Sequence, residues 1–238
     1  MIADVVAVVL AAGFGTRFRA SSGDDISKCL VEVGGHALVF FSVAMLRSVG
    51  LPVRLAIPTG TTEHFRQALG QLDGVTLHEV RQGSGQIPAV LNVMKDSLAS
   101  GIQAVVAAGD EIYMPAQETD LVAPSNSFAW KGLTPPGAHY RGGCHISLSE
   151  DGSCITRIER DGSIGGIRES GLFGLSTAAL VGMQRASTTE LCAYVTAAVA
   201  KGYIVEARWL DDAVNVNTVE DLPSAERLAA RLGNRIAG

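Results

Sequence analysis

With 238 residues, 47% of them hydrophobic and 18% charged, the chain can bury one substantial core, which excludes wholesale disorder. A net charge of −5 without any Lys/Arg tract argues against a surface for nucleic acid or an anionic membrane, so neither partner is expected. Any anionic ligand must therefore be met by local cations. The N-terminal apolar run is too short to span a bilayer and has no basic leader, so neither signal peptide nor anchor is expected. Cys29, Cys144, Cys154 and Cys192 lack C-x-x-C spacing and are expected to be reduced thiols in a cytoplasmic protein.

In chain order, Val5–Ala11 predicts a buried parallel strand, because both of its faces carry β-branched or small residues. Gly13 and Gly15 then open a loop whose backbone N–H groups can approach a ligand closely, and Arg17 and Lys28 place two cations beside it. His36–Val49 predicts a helix with Leu38, Phe41, Ala44, Met45 and Val49 on one side. A strand over Val53–Ile57, a helix over Thr62–Leu72 and a strand over Val75–Val80 follow. A helix over Ile87–Leu98 and a buried strand over Ala104–Ala108 come next. This order predicts an α/β fold: a single Rossmann-like, doubly wound, mostly parallel sheet flanked by helices, with a small β insertion. Ligands in such sheets sit beyond the carboxyl ends of the strands, where the Gly13 loop lies. Residues 1–238 are expected to form a single domain, with residues 1–120 as one half and residues 121–238, including the C-terminal helices, as the other.

The middle of the chain is rich in turn formers. Ala123–Gly143, with Trp130, Tyr140 and Arg141, predicts either an acceptor-side loop or a plain surface connection. Cys144–Ser149 and Ile155–Glu159, joined through Asp151-Gly152, predict a hairpin-like pair. Ser187 and Glu190 have capping-box spacing for a helix running to about Lys201, and Thr218–Asp221 can cap a last helix running to about Leu232. The five histidines are dispersed, and no nucleophile elbow or zinc spacing occurs.

Two phosphate loops are tested by spacing. A dinucleotide fingerprint needs a third glycine where Phe18 stands, and Asp24 and Asp25 come too early for its acid. A P-loop needs Gly-Lys-Ser/Thr, whereas Lys28 lies between Ser27 and Cys29. Instead, Leu10-Ala11-Ala12-Gly13-Phe14-Gly15-Thr16-Arg17, followed by Lys28-Cys29-Leu30, resembles the signature of the nucleotidyltransferase superfamily of sugar-phosphate and alcohol-phosphate activating enzymes. Ser27 stands where that signature usually has proline. The chain is most similar to small cytidylyltransferases, such as those acting on inositol phosphate, phosphocholine, methylerythritol phosphate or phosphonates.

The resemblance implies transfer of a nucleotidyl group from a nucleoside triphosphate to a small phosphate- or phosphonate-bearing acceptor, with release of pyrophosphate. It also implies that residues 1–120 are the nucleotide-binding half, and residues 121–238 the acceptor-binding half with a small acceptor-side β insertion. CTP is the favoured donor, and UTP and GTP stay open. Such chemistry brings anions together, so Mg²⁺ and fixed cations are expected to offset the repulsion. Catalytic roles fall on Arg17, Lys28 and Asp110, the last at the end of the Ala104–Ala108 strand. The nucleotide is expected against Leu10, Ala11, Ala12, Gly13, Gly15, Thr16, Arg17, Lys28, Gln82, Gly83, Ser84 and Gly85. Arg157, Arg160 and Arg168 are candidates for the acceptor phosphate. The superfamily's second metal-side carboxylate corresponds to a stretch that here reads Val214-Asn215-Val216-Asn217, so Mg²⁺ is expected on Asp110 with Asn215 and Asn217, or with Asp211 or Asp212 as substitutes. The alternatives are a sugar-1-phosphate uridylyl- or guanylyltransferase, guanylyl transfer to a cofactor such as molybdopterin, and a non-catalytic nucleotide-binding regulatory paralogue. A homodimer is compatible with the family.

Overall fold

The computed structural model describes residues 5–23, 27–70, 72–121, 127–136, 144–159 and 166–236. The first strand, β1 (Val5–Leu10), is followed by α1 (Thr16–Ser22), a small hairpin of β2 (Glu32–Val33) and β3 (His36–Ala37), and α2 (Leu38–Ser48). Then come β4 (Val53–Pro58), α3 (Thr62–Leu69), β5 (Val75–Val80), α4 (Gln86–Met94), β6 (Gln103–Ala108) and β7 (Glu111–Pro115). The remainder comprises β8 (Ala129–Thr134), β9 (His145–Leu148), β10 (Ile155–Glu159), β11 (Arg168–Leu175), α5 (Thr177–Met183), α6 (Leu191–Ala200), β12 (Val205–Asn215) and α7 (Leu222–Ile236).

A ten-stranded sheet has the order β5-β4-β1-β6-β11-β8-β12-β7, with the β9–β10 hairpin attached to β11. The four strands from β5 to β6 are parallel, and β11 enters antiparallel to β6. The strand β1 explains its own position: Val6 and Val8 join the core on one face, while Ala7 and Val9 join the core on the other. A strand buried on both faces needs apolar side chains at every position, which is why the run does not alternate. A third cluster packs α7 over Ile112, Val214 and Val216. Because β4 lies on one side of β1 and β6 on the other, the chain reverses its winding at β1. The crevice of such a sheet opens there, beyond Leu10 and Ala108.

The predicted α/β class and mostly parallel sheet hold, while several local expectations need correction. The helix expected from His36 starts at Leu38, because His36–Ala37 pair with β2. The stretch after Gly15 is not all loop: α1 forms from Thr16, entered by Gly15 at φ 60°. The turn-rich stretch 123–143 contains β8, a central strand buried at every position. There Trp130 lies in the core under the Arg208 guanidinium, 4.5 Å from its ring centroid. Lys131 and Gly132 had broken the apolar pattern of that strand. Tyr140, Arg141 and Arg160 lie outside the described residues, as do Asp24 and Asp25. No Ser187 capping box forms either: Thr188 Oγ1 accepts from the Glu190 N–H at 3.2 Å, and α6 begins only at Leu191. The Thr218/Asp221 capping box is present before the last helix, with Asp221 Oδ2 accepting from the Thr218 N–H at 2.9 Å.

Candidate active site

At the carboxyl edge of β1 and β6 two cavities adjoin, sharing Leu10, Gly13 and Gln86. The first, about 340 Å³, is lined by Ala12, Phe14, Gly83, Ser84, Gly85, Ala89 and Glu190 besides the shared residues. The second, about 250 Å³, is lined by Gly15, Thr16, Arg17, Phe18, Lys28, Cys29, Ala108 and Asp110. One is small and largely apolar, suited to a planar ring. The other gathers cations and a carboxylate, suited to phosphates.

Lys28 is the centre of the second cavity. It sits at the start of a single 3₁₀ turn, Lys28–Leu30, and is 9% exposed. Its Nζ forms an ion pair with Asp110 Oδ2, so the loop after β1 and the end of β6 meet through these two side chains. Gly15 makes this possible: a Cβ there would stand 3.2 Å from Lys28 Cβ, and its φ of +60° disfavours any L side chain. Arg17 is exposed on the cavity wall and pairs with no carboxylate among the described residues. Cys29, beside Lys28, is buried: burial first, and then the Asp110 charge, push its thiol pKa well up.

The metal-side residues converge on the same place. Val216 N–H donates to the Asp110 carbonyl at 3.0 Å, which sets the end of β12 next to Asp110. Asn215 Nδ2 donates to Glu111 Oε1 at 2.7 Å, and its Oδ1 is buried with no hydrogen-bond partner. Glu111, 3% exposed, also accepts from the Gly171 N–H at 2.9 Å. An aspartate at position 215 would face Glu111 without a proton to donate. Carboxylate and amide oxygens such as those of Asp110 and Asn215 are the donor type that suits a hard cation such as Mg²⁺. Asn217 lies in the turn that follows, where its backbone N–H donates to Asp221 Oδ2 at 2.8 Å and its side chain is buried. Asp212 is ion-paired with Arg231, 2.6 Å away.

The base-side loop is tied to the phosphate loop. Gly83 N–H donates to the Ala12 carbonyl at 3.2 Å, and Gln82 Nε2 reaches the Gly13 carbonyl at 3.4 Å. Gln82 thus bridges the two loops and lines neither cavity, and Ala11, 1% exposed, likewise lines neither. On the acceptor side, Arg168 opens β11 beyond Ala108, is 9% exposed and pairs with no carboxylate among the described residues. Arg157 instead lies on the exposed hairpin, 2.7 Å from Glu159.

Sequence reasoning missed Phe14, Glu111 and Glu190, whereas Gln86 closes the Arg81–Gln86 segment expected at the base. Phe14 adjoins recognised glycines and carries a local signal. Glu190 carries none, because it reaches the cavity only through the fold: Leu191 N–H donates to Gln86 Oε1, 2.9 Å away and 105 positions earlier.

The model of the MobA-like NTP transferase domain matches residues 7–125, half of the chain. The chain belongs to this family and is a nucleotidyltransferase by fold and family. It is 28% identical over 257 residues to the bifunctional protein GlmU of Mycobacterium marinum, and 28% identical over 258 residues to that of Mycobacterium avium. In both alignments 98% of the chain is covered but only 51% of the relative, so the chain spans about half the length of the curated relatives it matches. Among solved structures it resembles the inositol-1-phosphate CTP transferase from T. maritima, with a TM-score of 0.80, 18% identity and 96% of each chain covered. At that identity the likeness speaks for the fold. Among the described residues no helix is long and apolar enough to cross a membrane.

Proposed function

We propose that the chain transfers a nucleotidyl group, cytidylyl in first place, from a nucleoside triphosphate to a small phosphate- or phosphonate-bearing acceptor and releases pyrophosphate. The observation that carries this reading is the Lys28–Asp110 pair in a cationic cavity that adjoins a largely apolar one. The two charges hold each other in place. A triphosphate offers Lys28 a stronger anion and frees the Asp110 carboxylate.

In this reading the base enters against Ala12, Gly83, Ser84 and Gly85, where small residues leave room for a single ring. The phosphates lie along Gly13–Arg17, with Arg17 on the outer phosphates and Lys28 on the α-phosphate. An acceptor oxygen, its phosphate held by Arg168, attacks the α-phosphorus in line. The bond to the bridging oxygen breaks and pyrophosphate leaves. Lys28 meets the charge that develops on the transferring group, a contribution that grows in the transition state. Magnesium held by Asp110 and Asn215 would supply further screening of the triphosphate and of the departing pyrophosphate.

The preference for CTP rests on the small base cavity and on the likeness to a CTP transferase, both of which support it indirectly. The test is a calorimetric titration of CTP, UTP, GTP, ATP and dTTP, each with Mg²⁺. Selective CTP binding followed by pyrophosphate release with a phosphorylated polyol is the expected result. Selective binding of UTP or GTP would replace the cytidylyl assignment with sugar-1-phosphate or cofactor transfer. Binding without turnover on any acceptor would favour a regulatory paralogue, and binding of none of the five would overturn the reading.

A further inference from the structure

Away from the phosphate cavity, Cys144 Sγ and Cys192 Sγ lie 3.2 Å apart, although the chain separates them by 48 positions. Cys144 is 4% exposed and precedes β9, and Cys192 is half-buried in the first turn of α6. Their surroundings argue against a metal. Glu169 is the third group of the cluster, but its carboxylate is already ion-paired with the fully buried Lys131 and accepts from the Cys144 N–H at 3.2 Å. Two sulfurs alone are too few for a closed zinc site. Two thiols in contact, one of them reachable from solvent, are instead the arrangement of a dithiol that closes on oxidation.

We propose that Cys144 and Cys192 form a reversible disulfide, which locks the wall of the nucleotide cavity onto the acceptor-side strand. The oxidant is a low-molecular-weight disulfide such as glutathione disulfide. The Cys192 thiolate attacks one of its sulfurs, forming a mixed disulfide and expelling one glutathione thiolate. The Cys144 thiolate then attacks the Cys192 sulfur and expels the second. Two protein thiols are oxidised, one disulfide is reduced to two thiols, and the two cysteine protons end on the released glutathiones. Burial, and after it the Glu169 charge, push the Cys192 thiol pKa up against the opposing pull of Lys131. At neutral pH this keeps the thiolate fraction low and the exchange slow.

What the bond would hold is legible in the hydrogen bonds on either side. The segment just before Cys192 forms the cavity wall: Thr189 O accepts from the Ile87 N–H at 2.9 Å, and Leu191 N–H holds Gln86. Glu190 lines the cavity directly. On the other side, Cys144 and Glu169 exchange two hydrogen bonds, and Arg168 is the next residue. Leu191 and Val195, both fully buried, anchor this wall in the core, and it opens by local unfolding of the start of α6. Covalent closure removes that opening, so exchange of the Ile87 and Leu191 amides slows. Under the nucleotidyl-transfer reading, release through that wall slows with it.

The experiment treats the full chain with glutathione disulfide and follows intact mass, peptide mapping and amide hydrogen exchange, before and after dithiothreitol. Expected are a loss of two hydrogens, one peptide pair joined through Cys144 and Cys192, and exchange at Ile87 and Leu191 slowed at least about tenfold and restored on reduction. Cys144→Ala and Cys192→Ala each remove both effects. Stable mixed disulfides without the internal bond would overturn the proposal. So would an internal bond that leaves Ile87 and Leu191 exchange unchanged. These readouts need no nucleotide, so failure of CTP to bind would strike the functional reading alone.

Discussion

Lys28 is almost fully buried and is a cation without an obvious structural need for burial. Charged side chains are rarely buried unless paired, and its partner Asp110 is the carboxylate given a metal-side role in the proposed reaction. Replacing it with alanine is expected to lower kcat by about 10²–10³, the range seen when a donor to developing charge is removed. Steady-state pyrophosphate release would measure this, and undiminished turnover would remove Lys28 from the mechanism. Asn215 makes a second residue-scale prediction. In Asn215→Asp the donor to Glu111 is lost and two carboxylates face each other, at a cost of about 1–3 kcal/mol. Such a pair retains a proton in the folded state, so its folded pKa is raised. The variant should therefore match the wild type most nearly below about pH 4, the range in which unfolded carboxylates protonate, and fall behind as pH rises. Thermal unfolding across pH checks the sign, and Mg²⁺ should raise the variant's midpoint more than the wild type's.

At the scale of elements, the site is two loops fastened to each other: the one after β1 and the one between β5 and α4. Gly83 is where they touch, with φ +70°, and a Cβ there would stand 1.9 Å from Phe14 Cε2. Gly83→Ala must therefore displace the Phe14 ring and strain a left-handed backbone, the latter worth roughly 1–2 kcal/mol. Nucleotide affinity is expected to fall about tenfold while most of the fold, which does not depend on this contact, survives. Adding Phe14→Ala should restore part of the affinity, since the clash is removed and only the backbone strain stays. Calorimetry on the single and double variants decides between this account and one in which Gly83 is an ordinary turn residue. The first loop was legible because its glycines and cations are consecutive. The contribution of α6 was not, because Glu190 and Leu191 reach the cavity through tertiary packing alone.

At the scale of the whole molecule, a buried ion pair joins the central strands β8 and β11. Lys131 is fully buried, paired to Glu169, 3.4 Å from the Phe173 ring centroid and 3.2 Å from the Ser170 carbonyl. Lys131→Met should destabilise the protein by about 3–5 kcal/mol, because it leaves the Glu169 carboxylate buried without its cation. Lys131→Met combined with Glu169→Gln should recover much of that. The pH dependence follows from the same pair. Burial raises the Glu169 pKa, but the Lys131 charge and its hydrogen bonds outweigh burial, and the net shift is downward. A depressed carboxylate stabilises the fold above the unfolded carboxylate range, and the contribution disappears as pH falls through the folded value. Denaturant unfolding below about pH 4 should therefore weaken the wild type more steeply than the double variant.

What the chain's local order determined on its own was the parallel half. The strands β1, β4 and β6 are apolar runs, β5 alternates, and the helices between them carry apolar faces. These short-range patterns placed the Gly13 loop, Lys28 and Asp110 at one sheet edge before any coordinates. Tertiary structure alone decided the rest. The sequence reading placed Lys131 and Gly132 in a turn-rich loop, yet they lie in a central strand, because a buried lysine is tolerable only where Glu169 meets it. Asn215 became intelligible only once Glu111 was seen beside it. Pattern encodes which residues prefer burial, whereas the partner that makes a buried polar group affordable is supplied by a distant segment that only folding brings near.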